Sequence, residues 1–222
     1  SSQAQNAVHA GVGLNVSYTA ADSLNAVFDR FNAENDYDQP MPNIHVPMGI
    51  HATVGANLGG LLLDFSYTMR MAGARASDIN AGGQEFTNQV RYSANTIDIG
   101  LGYFFVNTPT FRLAPGISMD LGRYRLRYRG GLSSNVAIQP WGSSVNELNM
   151  GLTGFVQIMI PFSEGIAPGL FIRPYYQLGV VQNDQGPINR VLRPQTAADE
   201  EFFILDNASN FGIKIGVVMF SN

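Results

Sequence analysis

The sequence contains no cysteine, one tryptophan and one lysine, and it is poor in charge. Without cysteine, neither a disulfide framework nor a thiolate metal site can form. Charged residues make up 14% of the 222 residues, whereas about 25% is usual in soluble domains. No run approaches about 18 apolar residues, which excludes a transmembrane helix. The net charge of −4 argues against binding to nucleic acid, whose backbone is itself anionic.

The low charge content narrows the class of protein further. A soluble chain with so few charges would need a very large core, whereas a membrane barrel needs few because its outer belt contacts lipid. The first residues, SSQAQNA, are small and polar, as is typical of the region around the cleavage site of a removed signal peptide. The absence of cysteine is also compatible with export. We therefore expect an exported protein.

The stretch from Leu61 to Met71, LLLDFSYTMRM, alternates with a period of two. Large apolar side chains fill its odd positions, and Asp64, Ser66, Thr68 and Arg70 stand at even positions. This period predicts a β-strand with one apolar and one polar face. The polar face would contact water outside a soluble barrel, but it would line the lumen of a membrane barrel. One strand does not distinguish the two.

Eight segments have this period, at about residues 6–19, 44–56, 61–71, 90–105, 111–122, 147–162, 170–180 and 211–220. The connections between them are alternately long and short. We expect an N-terminal tail at 1–5 and long outer loops at about 20–43, 73–89, 129–145 and 183–205. Transmembrane barrels have short periplasmic turns and long outer loops. The pattern therefore predicts one all-β domain over residues 1–222, an eight-stranded antiparallel up-and-down transmembrane β-barrel with a short helix in the first outer loop.

The last predicted strand, FGIKIGVVMF at residues 211–220, resembles the alternating C-terminal segment of outer-membrane β-barrels. With the eight strands and the loop pattern, nearly the whole chain is similar to the small eight-stranded barrel family of Gram-negative bacteria, which includes the OmpA and OmpX transmembrane domains. The resemblance implies insertion in the outer membrane with both termini in the periplasm. Ser221 and Asn222 depart from the pattern, because they follow the terminal aromatic residue.

The inward positions of the predicted strands carry several charged side chains, namely Asp64, Arg70, Asp98, Arg112, Asp120, Arg173 and Lys214. Charges inside a narrow barrel must be paired or hydrated, so we expect a polar network that plugs the lumen. Bulky inward residues, among them Phe104, Phe155, Phe171, Tyr175 and Phe220, favour this interpretation. The protein would then have a structural or interaction role through its outer loops, including that of a subunit in a larger envelope complex. The alternative is a narrow channel or carrier for small or lipophilic solutes.

The three histidines, His9, His45 and His51, fall on the same inward parity. No HxH or HExxH spacing, as a zinc site would use, is present. Barrels that resemble lipid A deacylases carry catalytic Ser, His and acid residues on the lipid-facing surface, where this parity places no histidine. We therefore expect no catalytic residue, no metal and no cofactor, and a lipid-modifying enzyme is the less favoured function.

The first long loop contains an amphipathic helix, because Leu24, Val27, Phe28 and Phe31 recur at helical spacing. This apolar stripe must be buried somewhere. It can form a lid over the barrel mouth, dock on a partner protein, or lie among lipid headgroups.

Near the outer end of the fifth predicted strand, Arg123, Arg125 and Arg127 alternate with Tyr124 and Leu126. Guanidinium groups bind phosphate well, so contact with lipopolysaccharide is one interpretation, and a solvated strand extension is the other. The partners that we expect are outer-membrane lipid and lipopolysaccharide, with a protein partner at the outer loops and no nucleic acid.

Overall fold

The computed structural model describes residues 7–163, 167–195 and 205–221. In chain order, the strands within these ranges are β1 Ala7–Thr19, β2 Met48–Leu58, β3 Leu61–Ile79, β4 Glu85–Tyr103, β5 Val106–Asn107, β6 Arg112–Leu132, β7 Gly142–Pro161, β8 Ala167–Gly179, β9 Gln182–Asp184, β10 Leu205–Asn207 and β11 Asn210–Ser221. The helices are α1 Asp22–Glu34, α2 Ser133–Val136 and α3 Gly186–Leu192. None of these helices is long and apolar enough to cross a membrane.

Eight of the strands form a closed ring. The order of pairing is β1, β2, β3, β4, β6, β7, β8 and β11, and β11 pairs back with β1. Every pair is antiparallel, and each strand pairs with the next long strand along the chain. Closure leaves no long strand with an unpaired edge. The predicted eight-stranded up-and-down barrel with a helix in its first long connection is therefore confirmed.

The barrel exposes apolar side chains and buries polar ones. On β4, Ile97, Ile99 and Leu101 are about half exposed, while Asp98 between them is only 4% exposed. The apolar stretch from Leu61 to Met71 on β3 spans about 33 Å along the strand. At a tilt of about 40°, this is about 25 Å along the membrane normal, the height of the apolar band of an outer-membrane barrel. This inverted arrangement is that of a transmembrane barrel.

The strands differ in length on the two sides of the ring. β3, β4, β6 and β7 contain 19, 19, 21 and 20 residues, against 13, 11, 13 and 12 for β1, β2, β8 and β11. The long strands form two hairpins that project beyond the band at one end of the barrel, which we call the mouth. Ala7 and Ser221 lie at the opposite end, beside the tight turn at Gly59 and Gly60.

The projecting hairpins correct two of the predicted loops. Most of 73–89 belongs to β3 and β4, which leaves only residues 80–84 between them. Similarly, much of 129–145 belongs to β6, α2 and β7. The first of these segments is rich in Gly, Asn and Asp, which suggested a loop. In the structure the period of two continues, because Ala74, Ala76 and Val90 face an apolar core at the mouth of the barrel.

The other two long connections contain one helix that the sequence predicted, α1, and one that it did not, α3. The first, at 20–43, contains α1, followed by an irregular segment up to β2. The fourth, at 183–205, includes parts of β9 and β10 and the whole of α3, and its residues 196–204 lie outside the described residues.

Candidate functional site

Two buried ion pairs cross the lumen in the membrane-spanning part. Arg173 Nη1 donates to Asp64 Oδ2 at 2.8 Å, and Lys214 Nζ donates to Asp98 Oδ2 at 2.9 Å. All four side chains are at most 7% exposed. The strands that supply each pair are separated in sequence by more than 100 residues. The ring thus brings together four of the charged residues selected from the sequence.

Neutral side chains add further hydrogen bonds to this network. Asp98 accepts from Ser66 Oγ at 3.0 Å and from Thr68 Oγ1 at 3.2 Å. Asp120 accepts from Ser118 Oγ at 3.0 Å, from Gln177 Nε2 at 2.7 Å and from Thr153 Oγ1. The same Gln177 side chain accepts from Arg70 Nη2 at 3.0 Å. Arg70 and Asp120 are therefore joined through one amide and not by direct contact.

The lumen is filled around this network. A cavity lined by Thr68, Arg70, Asp98 and Asp120 has a volume of about 10 Å³, enough for roughly one water molecule. Towards the short-turn end an apolar cluster follows, made of Leu62, Phe104, Ala114, Phe155, Met159, Phe171, Tyr175, Val218 and Phe220. It includes all the bulky inward residues noted in the sequence. Arg112 lies against this cluster, with its Cζ 4.9 Å from the centre of the Phe220 ring.

Helix α1 occupies the mouth. Its residues Leu24, Val27, Phe28 and Phe31 are at most 2% exposed. They pack against the inward faces of the projecting hairpins and against α3, in a cluster that also contains Ala74, Ala76, Val90, Tyr92, Ala94, Tyr124, Leu126, Val145, Ile188 and Leu192. The apolar stripe of the helix is thus buried within this chain.

Two asparagines of α1 fix the chain that returns from the helix to β2. Asn25 donates to the Ile44 carbonyl at 3.1 Å and accepts from the Ile44 N–H at 2.8 Å. Asn32 makes the same pair of bonds with Met41, at 2.9 and 2.8 Å. Because backbone polar groups need partners when buried, these bonds allow Met41 and Ile44 to be buried in an irregular segment.

Helix α1 is also tied to the fourth connection at both of its ends. Near its C-terminus, Glu34 forms an ion pair with Arg193, which follows α3. Near its N-terminus, Asp206 of β10 accepts from the N–H groups of Ser23 and Leu24. Burial, together with the nearby Asp22 carboxylate, raises the pKa of Asp206 to about 7. The two connections therefore form one lid, which we define as α1, residues 35–47, α3 and β10.

The histidines occupy two different environments. His9 and His51 are buried in the lumen, where His9 Nε2 lies 3.7 Å from Asp64 Oδ1 and His51 Nδ1 lies 3.1 Å from Thr68 Oγ1. His45 is exposed and stacks on Tyr18, with ring centres 5.7 Å apart. The predicted inward position of His45 is wrong, because β2 begins only at Met48 and strand parity does not apply before it. No group of three potential metal ligands occurs among the described residues.

The structure places Arg123, Arg125 and Arg127 on the outward face of β6, beyond the apolar band. Arg75 and Arg91 lie on the outward face of the neighbouring strands. Arg75 was missed because it stands in the segment expected to be a loop, whereas Arg91 stands at the start of the fourth predicted strand and was not selected as a site residue. The signal that could have found them was the alternation in residues 91–96, RYSANT, and in the residues before them.

Comparisons with known proteins find matches among solved structures. No protein-family model and no curated protein matches the chain. Among solved structures, it is similar to Neisserial surface protein A, with 11% identity, 96% of each chain covered and a TM-score of 0.48. It is also similar to Ail, the attachment invasion locus protein of Yersinia pestis, solved in complex with the heparin analogue sucrose octasulfate. That match has 8% identity, covers 97% of this chain and 99% of Ail, and has a TM-score of 0.45.

Proposed function

We propose that this chain is an integral barrel of the Gram-negative outer membrane that does not conduct solutes and acts as a structural or interaction protein. The mouth would face the cell exterior, and the short turns and both termini would face the periplasm. The inverted polarity of the barrel and the asymmetric length of its connections support this placement. Any protein partner would contact the projecting hairpins or the outer side of the lid.

The observation that carries the proposal is the filling of the lumen by three successive layers. The apolar cluster around Phe155 and Phe171 closes the short-turn end, the network around Asp98 and Arg173 fills the middle, and α1 covers the mouth. Eight-stranded barrels leave an interior just wide enough for side chains. A conducting path would require all three layers to open.

A narrow channel or carrier is the alternative function, and planar-bilayer conductance separates it from a closed barrel. We expect the native protein to give no stable single-channel steps. As a control for insertion, a variant that combines Phe155→Ala, Arg173→Ala and Phe28→Asp should remove bulk from two layers, open the lid and produce conductance above that of the native protein. Stable, uniform steps from the native protein would contradict the closed lumen.

The burial of the α1 stripe supports a lid and not a docking surface. For Leu24, Val27, Phe28 and Phe31 to bind a partner, α1 would have to leave the mouth and expose the core beneath it, at a cost of about 1.5–3 kcal/mol for each large apolar side chain exposed. We also propose that the chain is not an enzyme. The exposed His45 stacks on the aromatic ring of Tyr18.

A further inference from the structure

The outward side of the projecting hairpins carries a concentration of arginine. We define the arginine face as Arg75, Arg91, Arg123, Arg125, Arg127, Arg129 and Trp141. Strand pairing makes it continuous: Arg91 on β4 lies directly opposite Arg127 on β6, and Gln89 lies between Arg75 and Arg129. Among the described residues, Glu85 pairs with this face, at 2.6 Å from Arg75. The arginine face is thus strongly cationic although the chain as a whole is anionic.

The arginine face begins where the apolar band ends, at the same level on adjacent strands. On β6, Leu121 is followed by Arg123 at the next outward position, and on β4 the matching step is from Ile97 to Asn95. A surface groove of about 400 Å³ lies at this border, with Leu121 and Leu148 on its sides and Arg123 and Asn146 also in its lining. Glu147 also lines it, but its Oε2 already accepts from the Asp184 N–H at 3.0 Å. The groove therefore places the apolar side chains of Leu121 and Leu148 beside the guanidinium of Arg123.

Several of these arginines are not neutralised by the protein. Among the described parts of the chain, Arg123 and Arg127 have no hydrogen-bond or ion-pair partner. Arg91 and Arg129 lie over the ring of Trp141, at 4.6 and 4.3 Å from its centre. Stacking orients a guanidinium but leaves its positive charge in place. Like charges directly opposite on adjacent strands, such as Arg91 and Arg127, are destabilising unless an anion lies between them.

We infer that the arginine face binds the phosphorylated saccharide headgroup of lipopolysaccharide in the outer leaflet. A cationic surface of this size favours a ligand with several negative charges. Because the arginine face directly borders the lipid-facing apolar band, we expect that ligand to be the headgroup of a lipid. Guanidinium groups bind phosphate in a bidentate manner. The inference rests on the outer-membrane location proposed above.

The height of the arginine face favours a glycolipid over a simple phospholipid. Successive outward residues are about 7 Å apart along a strand, so Arg123 to Arg129 cover about 20 Å along β6, or about 15 Å along the membrane normal at a tilt of about 40°. The headgroup layer of an ordinary bilayer is only about 5–7 Å thick on each side. Arg123 can reach phosphates at the membrane surface, whereas Arg91, Arg127 and Arg129 need anionic groups farther out. Phosphates on an extended saccharide meet this requirement.

The test measures retention of purified lipopolysaccharide by the full chain in nanodiscs. The variant is Arg91→Gln with Arg127→Gln, and the matched control is Arg190→Glu, which changes the net charge by the same two units on the exposed side of α3. We expect the double variant to bind lipopolysaccharide at least about tenfold more weakly, with the control unchanged. Enzymatic removal of the lipopolysaccharide phosphates should weaken native binding to a similar extent.

Equal binding by the native protein and the double variant would overturn the inference, as would equal binding of phosphorylated and dephosphorylated lipopolysaccharide. Soluble polyphosphate that competes as well as lipopolysaccharide would show a general anion surface and also overturn it. Cell fractionation of the same variants separates this failure from that of the proposed function. If the protein sediments with the outer membrane but does not bind lipopolysaccharide, only the inference is contradicted and the proposed function stands.

Discussion

Asn25 and Asn32 hold the irregular part of the lid in place. Each side chain forms hydrogen bonds with both the N–H and the C=O of one residue, as a neighbouring strand would. Asn25 pairs with Ile44 in this way, and Asn32 pairs with Met41. The segment between α1 and β2 has few regular backbone partners of its own. These two side chains therefore decide whether it stays packed on the helix.

The effect is measurable at Asn25. Replacement of Asn25 by alanine leaves the buried N–H and C=O of Ile44 without their partner, which should destabilise the closed lid by about 1–3 kcal/mol. Amide hydrogen exchange of residues 35–47 should therefore become faster, while exchange in β8 stays unchanged. Asn43→Ala at an exposed position nearby is the matched control. Unaltered exchange in the Asn25 variant would mean that other contacts hold the segment.

At the scale of elements, the lid joins connections that are far apart in sequence. Helix α1 and β10 meet at Asp206, whose carboxylate is partly buried near Asp22. A carboxyl group with a raised pKa binds its proton more tightly in the closed lid than in an opened one. By linkage, its contribution to closure is fully present below about pH 4 and is lost as the pH rises through about 7.

Hydrogen-exchange protection of α1 should therefore fall as the pH rises from 5 to 8, after correction for the intrinsic exchange rate. We expect a decrease of at least about tenfold, because the pKa of about 7 lies well above the usual value for Asp. Asp206→Asn retains an acceptor for the helix N-terminus but cannot titrate, so its protection should be independent of pH. A native lid with constant protection over this range would contradict the assignment.

The period of two was sufficient to predict the ring of eight strands and the inward position of the seven charged residues, because parity along a strand is a local property. The pairing of Asp64 with Arg173 was not predictable, since it depends on which strands face each other across the lumen. The true length of β3 and β4 was also missed. Their alanines and glycines have little preference for strand, and only the core under α1 explains their conformation.

At the scale of the whole molecule, the central claim is a barrel with lipid outside and no aqueous path inside. Two positions three residues apart on β4 provide a direct test, because Ile99 faces outward and Thr96 faces the lumen. The chain has no cysteine, so a single introduced thiol can be labelled without background. Ile99→Cys and Thr96→Cys therefore report on the two sides of the same strand.

The decisive measurement is thiol labelling of these two variants in liposomes with a water-soluble and a membrane-soluble reagent. We predict that Ile99→Cys reacts only with the membrane-soluble reagent, and that Thr96→Cys reacts with neither until the barrel is unfolded. Reaction of Thr96→Cys with the water-soluble reagent in the folded barrel would show an open lumen. Reaction of Ile99→Cys with that reagent would show that the apolar face contacts water, and either result would contradict the account.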